Sequence, residues 1–310
     1  VSFFGRLNYS LMNRYLLTFT LREDGSSRFN KDNRWGLFPS VALAWKINEE
    51  TFMKKFDFLS DLKLRLGYGV TGQQNLDNGD YPYLPRYMDS KAGASYFFGD
   101  TQYSLIAPLA YDKNLKWEET TTWNAGIDYG FLNGRITGAL DFYYRKTEDL
   151  LTNVGTLENK GVEFTINAHA ITTKDWKWTI GYNISYNKNE ITKMTINDDP
   201  NYVGVIHGGI DGGTGYNVMI NAVNNPYNSF YVFEQIYDQN GKPIEGAYVD
   251  HNGDGKVGEK DNDGDLIAYK KSAPDVFMGL TSQLSYKNWD FSFALRASIG
   301  NYAYNNVQSN

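Results

Sequence analysis

The segment Trp176-Lys177-Trp178-Thr179-Ile180-Gly181-Tyr182-Asn183-Ile184-Ser185-Tyr186 puts an apolar or aromatic residue at every second position and a polar or small one between. Successive side chains of a β-strand point to opposite faces, so one face of this strand suits hydrocarbon and the other suits water. A membrane β-barrel strand has this pattern.

The pattern recurs in at least eight stretches. Tyr15, Leu17, Phe19 and Leu21 interleave with Leu16, Thr18, Thr20 and Arg22, and Leu62, Leu64, Leu66, Tyr68 and Val70 with Lys63, Arg65, Gly67 and Gly69. Trp123, Ala125, Ile127 and Tyr129 alternate with Thr122, Asn124, Gly126 and Asp128, and Trp289, Phe291, Phe293 and Leu295 with Asp290, Ser292, Ala294 and Arg296. The alternation predicts ten strands, at about 1–11, 14–22, 35–47, 62–70, 117–130, 135–149, 159–171, 176–191, 274–287 and 289–300. Tight turns at Met12-Asn13, Leu132-Asn133-Gly134, Thr172-Thr173-Lys174-Asp175 and Lys287-Asn288 fall on one side. Long connections at 23–34, 72–116 and 192–273 fall on the other, the arrangement of an outer-membrane barrel with long extracellular loops. Residues 48–61 read as a small amphipathic turn on the short side. The fold class is therefore all-β, an antiparallel transmembrane β-barrel.

Composition supports this. The chain is 16% aromatic over 310 residues, yet its mean hydropathy is −0.51, and no run of about 18 apolar residues exists to form a membrane helix. A barrel strand needs only every second residue to tolerate lipid. The absence of cysteine excludes disulfides and thiolate metal sites, and the net charge of −6 argues against a nucleic-acid partner. Trp45, Trp117, Trp123, Tyr143, Tyr144, Trp176 and Trp289 sit near strand ends, where aromatic girdles are expected. A soluble β-sandwich also alternates and is the competing architecture. The chain begins mid-strand and ends in a polar tail, so both ends are read as cut from a longer chain.

Several motifs, in order along the chain, carry a resemblance. They are Arg22-Glu23-Asp24-Gly25-Ser26-Ser27-Arg28-Phe29, Phe38-Pro39-Ser40-Val41-Ala42-Leu43-Ala44-Trp45, and Leu62-Lys63-Leu64-Arg65-Leu66-Gly67-Tyr68-Gly69-Val70-Thr71-Gly72-Gln73. Leu115-Lys116-Trp117-Glu118, Asn124-Ala125-Gly126-Ile127-Asp128, Thr147-Glu148-Asp149-Leu150-Leu151, Asn159-Lys160-Gly161-Val162-Glu163 and Asp250-His251-Asn252-Gly253-Asp254-Gly255 follow. With these motifs the chain resembles the SusC/RagA class of TonB-dependent outer-membrane transporters. It departs in having Asp112-Lys113-Asn114 where the family often has Asn-Pro, and Gln73 at a common Asn position. The resemblance implies a 22-stranded barrel in the Gram-negative outer membrane, with an N-terminal plug, a TonB-contacting segment and a SusD-like lipoprotein lid. None of the plug, the TonB contact or the final barrel strands is recognisable here, so residues 1–310 would be about ten strands of one barrel domain.

The most specific local signal is the run Asp250 to Asp261. Side-chain oxygens at Asp250, Asn252 and Asp254, Gly255 at position six, Lys256 at the backbone-ligand position and a carboxylate at Asp261 give the spacing of an EF-hand-type Ca²⁺ loop. Asp261 is shorter than the usual Glu, and an ion-free Asx/Gly turn is the alternative. In the 72–116 loop, Tyr81, Tyr83, Tyr87 and Tyr96 are candidate substrate-binding residues, since aromatic faces stack on sugars; packing of the loop is the alternative. Lumen-side Arg6, Lys63, Arg65, Asp141, Arg145, Glu163 and Arg296 are expected to pair with one another or hold a plug. Gly208-Gly209-Ile210-Asp211-Gly212-Gly213-Thr214-Gly215 lacks the Lys-Ser/Thr and βαβ context of a phosphate loop and reads as flexible backbone. His169, His207 and His251 are scattered, so no catalytic role is expected.

The leading expectation is TonB-powered import of a bulky nutrient, an oligosaccharide in the first place or else a peptide. A self-contained ten-stranded outer-membrane hydrolase is the alternative, and a soluble carbohydrate-binding module a third.

Overall fold

The computed structural model describes residues 1–74, 81, 83–89, 95–109, 111–150, 155–195, 199, 201–210, 217–257 and 264–305. The first four strands are β1 (Ser2–Leu11), β2 (Tyr15–Gly25), β3 (Trp35–Lys46) and β4 (Leu59–Gln73). Four short strands follow in the first long loop, β5 (Tyr87–Asp89), β6 (Ser95–Phe98), β7 (Thr101–Ser104) and β8 (Ile106–Pro108). The wall resumes with β9 (Glu118–Phe131), β10 (Ile136–Asp149), β11 (Gly155–Thr172) and β12 (Trp176–Lys193). The second long loop carries β13 (Val205–Gly209), β14 (Asn217–Asn221), β15 (Ser229–Phe233), β16 (Gln235–Tyr237), β17 (Pro243–Tyr248) and β18 (Leu266–Lys271), and the wall closes its run with β19 (Val276–Tyr286) and β20 (Trp289–Ile299).

Ten of these form one antiparallel sheet in the order β1-β2-β3-β4-β9-β10-β11-β12-β19-β20. All ten expected wall strands are present, each beside its predecessor in the wall. The register keeps the alternation in phase from strand to strand. Leu17 stands opposite Leu43, Leu43 opposite Leu66, Leu66 opposite Ala125, Ala125 opposite Phe142 and Phe142 opposite Val162. The same face continues through Tyr186, opposite Val162, to Val276 and Ile299. A slip of one residue would turn the whole set to the other face, so the apolar pattern itself fixes the register.

The turns follow local chemistry. Met12 and Asn13 have φ of 53° and 58°, and Arg14 N donates to Leu11 O at 3.0 Å, the geometry of a type I′ turn that matches strand twist. Between β3 and β4, where a turn over 48–61 was expected, residues 47–58 contain two single 3-10 turns, Ile47–Glu49 and Met53–Lys55, with Phe52, Phe56 and Phe58 exposed. Pro39, which cannot donate to a ladder, pairs with Leu21 of β2 but lies just beyond the β3–β4 ladder, which starts at Ser40.

The structure corrects two parts of the aromatic expectation. Trp45 stacks on Tyr15 at 6.2 Å, Trp176 lies on Tyr286 at 4.2 Å, and Trp123 on Tyr68 at 4.4 Å, all on the apolar face. Trp117 instead lies just before β9 and is 6% exposed in a loop core, and Tyr143 belongs to the polar phase of β10. Tyr143 covers Gly161, where a Cβ would strike its ring, and its hydroxyl donates to Asn187 Oδ1 at 2.9 Å.

The long loops are also more ordered than their composition implies. The second holds a four-stranded sheet, β13-β14-β15-β18, around buried Ile220, Ala222 and Tyr231, with Ile206, Leu266 and Ala268 packed against them. β16 and β17 form a separate two-stranded hairpin.

Candidate functional site

The polar face of the wall carries an ion-pair ladder across β4, β9 and β10. Lys63 Nζ lies 2.6 Å from Asp128 Oδ2, and Arg65 Nη2 lies 2.8 Å from both Asp128 Oδ1 and Asp141 Oδ1. Gly126 makes room for it, because a Cβ there would meet the Asp141 carboxylate and come within 2.8 Å of Arg65 Nη2. The ladder is half-exposed and mixed in sign, so it ties three strands together without giving that face a net charge. Lys63, Arg65 and Asp141 were expected to pair; Asp128 joins them because it shares the polar phase of β9 and faces Lys63 in register. Arg6 instead donates to Thr20 Oγ1 at 3.2 Å.

At the long-loop end the family-like motifs meet in one small core. Phe29, Phe38, Leu115 and Trp117 are 0 to 6% exposed, with Val70 packed against them. The Phe29 and Phe38 rings lie 5.2 and 5.3 Å from that of Trp117, whose Nε1 donates to Arg34 O at 3.2 Å. Asn33 Nδ2 donates to Asn114 O at 2.9 Å, fastening the first loop to the strand entry. Lys116 pairs with Asp149 at 2.8 Å, and this contact holds the Lys116 ammonium above its ordinary pKa. These motifs thus pin the loop bases by packing.

Of the four candidate tyrosines, Tyr87 and Tyr96 lie in strand pairs of the first long loop. Tyr81, Tyr87 and Tyr96 are 46%, 64% and 60% exposed, and Tyr83 is half-buried. Tyr87 opens the β5–β8 pair opposite Pro108, whereas Tyr96 faces Tyr103 across β6–β7 and lies 5.8 Å from the Phe98 ring. Tyr87 and Tyr96 thus present aromatic surface on two separate strand pairs.

In the 250–257 turn, Asp250 accepts from Gly253 N at 2.6 Å through Oδ1 and from Gly255 N at 2.8 Å through Oδ2. Asn252 Oδ1 accepts from Asp254 N and Asp254 Oδ1 from Lys256 N, each at 2.8 Å. Gly253 and Gly255 have φ of 75° and 81°, a region open to glycine. Asp265, fully buried, accepts from His251 N at 3.0 Å. Asp261 lies outside the described residues, as do Asp211 to Gly215 of the glycine run. Among the described residues no group of three or more His, Asp or Glu is placed to hold a metal ion. A carboxylate still has lone pairs left after two amide bonds. The histidines stand apart: His169 Nδ1 lies 3.2 Å from Thr179 Oγ1, and His251 Nε2 lies 3.0 Å from Glu234.

Comparison with known proteins agrees with this architecture. The family profile described as TonB dependent receptor-like, beta-barrel matches residues 1–310. The chain is 56% identical to the TonB-dependent receptor SusC of Bacteroides thetaiotaomicron, covering 100% of this chain and 32% of that one. It is 35% identical to the TonB-dependent receptor P26 of Formosa agariphila, covering 98% and 32%. The chain spans about a third of the length of the curated relatives it matches. A solved structure of the RagAB peptide importer in its open-open state superposes with a TM-score of 0.74 at 26% identity, covering 97% of this chain and 32% of that one. The alternating wall, its ten-strand order and these matches together show that the chain belongs to the TonB-dependent receptor β-barrel family.

Proposed function

We propose that this chain is part of the wall and outer loops of a SusC-like transporter in the Gram-negative outer membrane. It imports a bulky nutrient with energy delivered through TonB, beneath a SusD-like lipoprotein lid. The 56% identity to SusC along the whole chain carries this reading. An oligosaccharide is the first candidate because exposed loop tyrosines suit sugar rings. A peptide is the second, supported by the likeness to the RagAB importer.

The sheet supports a part over a self-contained barrel. Among the described residues β1 pairs only with β2 and β20 only with β19. In lipid those edges would leave backbone groups unpaired, so further strands of the same barrel complete them in this reading. The protein breaks no bond in its substrate. Calcium in the 250–261 loop belongs to the same reading, as a stiffening ion for that loop.

The test is uptake by cells carrying the full-length protein. Size-graded labelled oligosaccharides and peptides are offered with and without a protonophore. Energy-dependent accumulation of one class, lost on deletion of the gene, is expected. Uptake unaffected by either treatment would overturn the proposal.

A further inference from the structure

Three successive rows of the apolar face cross β9, β10, β11 and β12. The row nearer the short turns is Ala125, Phe142, Val162 and Tyr186. The next is Trp123, Tyr144, Lys160 and Lys188, and the one beyond it, toward the long loops, is Thr121, Lys146, Glu158 and Glu190. The face therefore passes from hydrocarbon-like to charged within two rows. The middle row sits at the depth where aromatic rings and snorkelling lysines meet headgroups.

A groove of about 620 Å³ opens there, lined by apolar side chains of the first row and by the two lysines. Lys160 and Lys188 are direct cross-strand partners, and like charges so placed repel. Three carboxylates equal Lys146, Lys160 and Lys188 in number, but their contacts are with other groups than Lys160. Glu190 binds Lys188 at 2.8 Å, Glu148 binds Lys146 at 2.7 Å, and Glu158 accepts from the Tyr144 hydroxyl. Lys160, exposed, makes no ion pair among the described residues, although it adds through space to the field at Glu190. An anion between the two ammonium groups would relieve the repulsion, and the groove below would accept the chain attached to it.

We propose that this groove binds one acyl chain of a phosphate-bearing lipid, whose headgroup is held by Lys160 and Lys188. The assignment rests on the membrane-barrel reading. It adds a specific lipid site to a wall that otherwise meets the bilayer non-specifically.

The experiment uses the full-length protein, purified in detergent, stripped of lipid and titrated with phosphatidic acid or with diacylglycerol of the same acyl chains. Bound lipid is counted by native mass spectrometry. The expected result is at least ten-fold more phosphatidic acid than diacylglycerol retained. That preference should disappear in K160Q/K188Q, and retention of phosphatidic acid should fall in A125F, which fills the groove and keeps both lysines. Lys54→Gln, in the turn between β3 and β4, should bind as the parent does. Circular dichroism checks that each variant keeps its β-structure. Equal retention of the two lipids by the parent, or an unchanged preference in K160Q/K188Q, overturns the lipid site while leaving the barrel intact. A parent that stays monodisperse without detergent overturns the membrane reading itself.

Discussion

Replacing Trp117 by alanine should free the 26–34 and 111–117 segments while leaving the wall intact. Its indole is 6% exposed between Phe29 and Phe38, and its Nε1 bonds Arg34 O. Truncation of a buried tryptophan costs about 3–5 kcal/mol, and the low end applies to a cluster of four residues near solvent. Losing the hydrogen bond to Arg34 O is part of that cost, about 1 kcal/mol. If residues 26–34 and 111–117 open locally, ~3 kcal/mol corresponds to a rise on the order of 100-fold in their opening equilibrium. Hydrogen exchange read peptide by peptide should show this rise there, with no change in β10 and β11. W117F, which keeps a ring but lacks the donor, should raise exchange only about five-fold, for ~1 kcal/mol. Unchanged exchange at 26–34 in W117A would refute the idea that this motif pins the loop.

Other outcomes test other parts of the molecule. Spin labels at Ile180 and Asn183, on opposite faces of β12, should differ in accessibility to a lipid-soluble quencher, and equal accessibility would count against a membrane wall. The Glu50 carboxylate accepts from the Tyr15 hydroxyl at 2.6 Å, from Trp45 Nε1 at 3.0 Å and from Arg14 at 3.0 Å, and these donors, Tyr15 first, hold its pKa below the ordinary glutamate value. A lowered folded pKa stabilises above the unfolded value near 4.5 and is lost as pH falls through the folded one. The 46–58 turn should therefore loosen in acid in the parent and show no such transition in E50Q, as measured by exchange corrected for intrinsic rate. If the 250–261 loop holds Ca²⁺, a chelator should raise exchange in 250–257 and added Ca²⁺ should reverse it; indifference to both would favour the ion-free turn.

The wall was legible because β-alternation is a local property with period two, so Trp178, Ile180 and Ile184 announce their face without knowledge of any neighbour. Boundaries were less secure, since pairing extends a strand past its own pattern, as when β4 runs from Leu59 to Gln73. Trp117 looked like a girdle residue because its sequence context is that of a strand end. Only the approach of Phe29, 88 positions earlier, makes it a core residue. The small sheet in the second loop likewise depends on pairing β15 with β18 across more than thirty residues, and no short-range pattern encodes that closure.

The sequence by itself determined that one face of this chain meets apolar surroundings and the other water, and in which order its wall strands run. Tertiary structure decided which charges meet. Asp128 joins Lys63 and Arg65, and Lys160 stands opposite Lys188, because register brings together residues far apart along the chain. A strand's pattern fixes the direction of a side chain, but its neighbour is fixed only when two strands share a ladder.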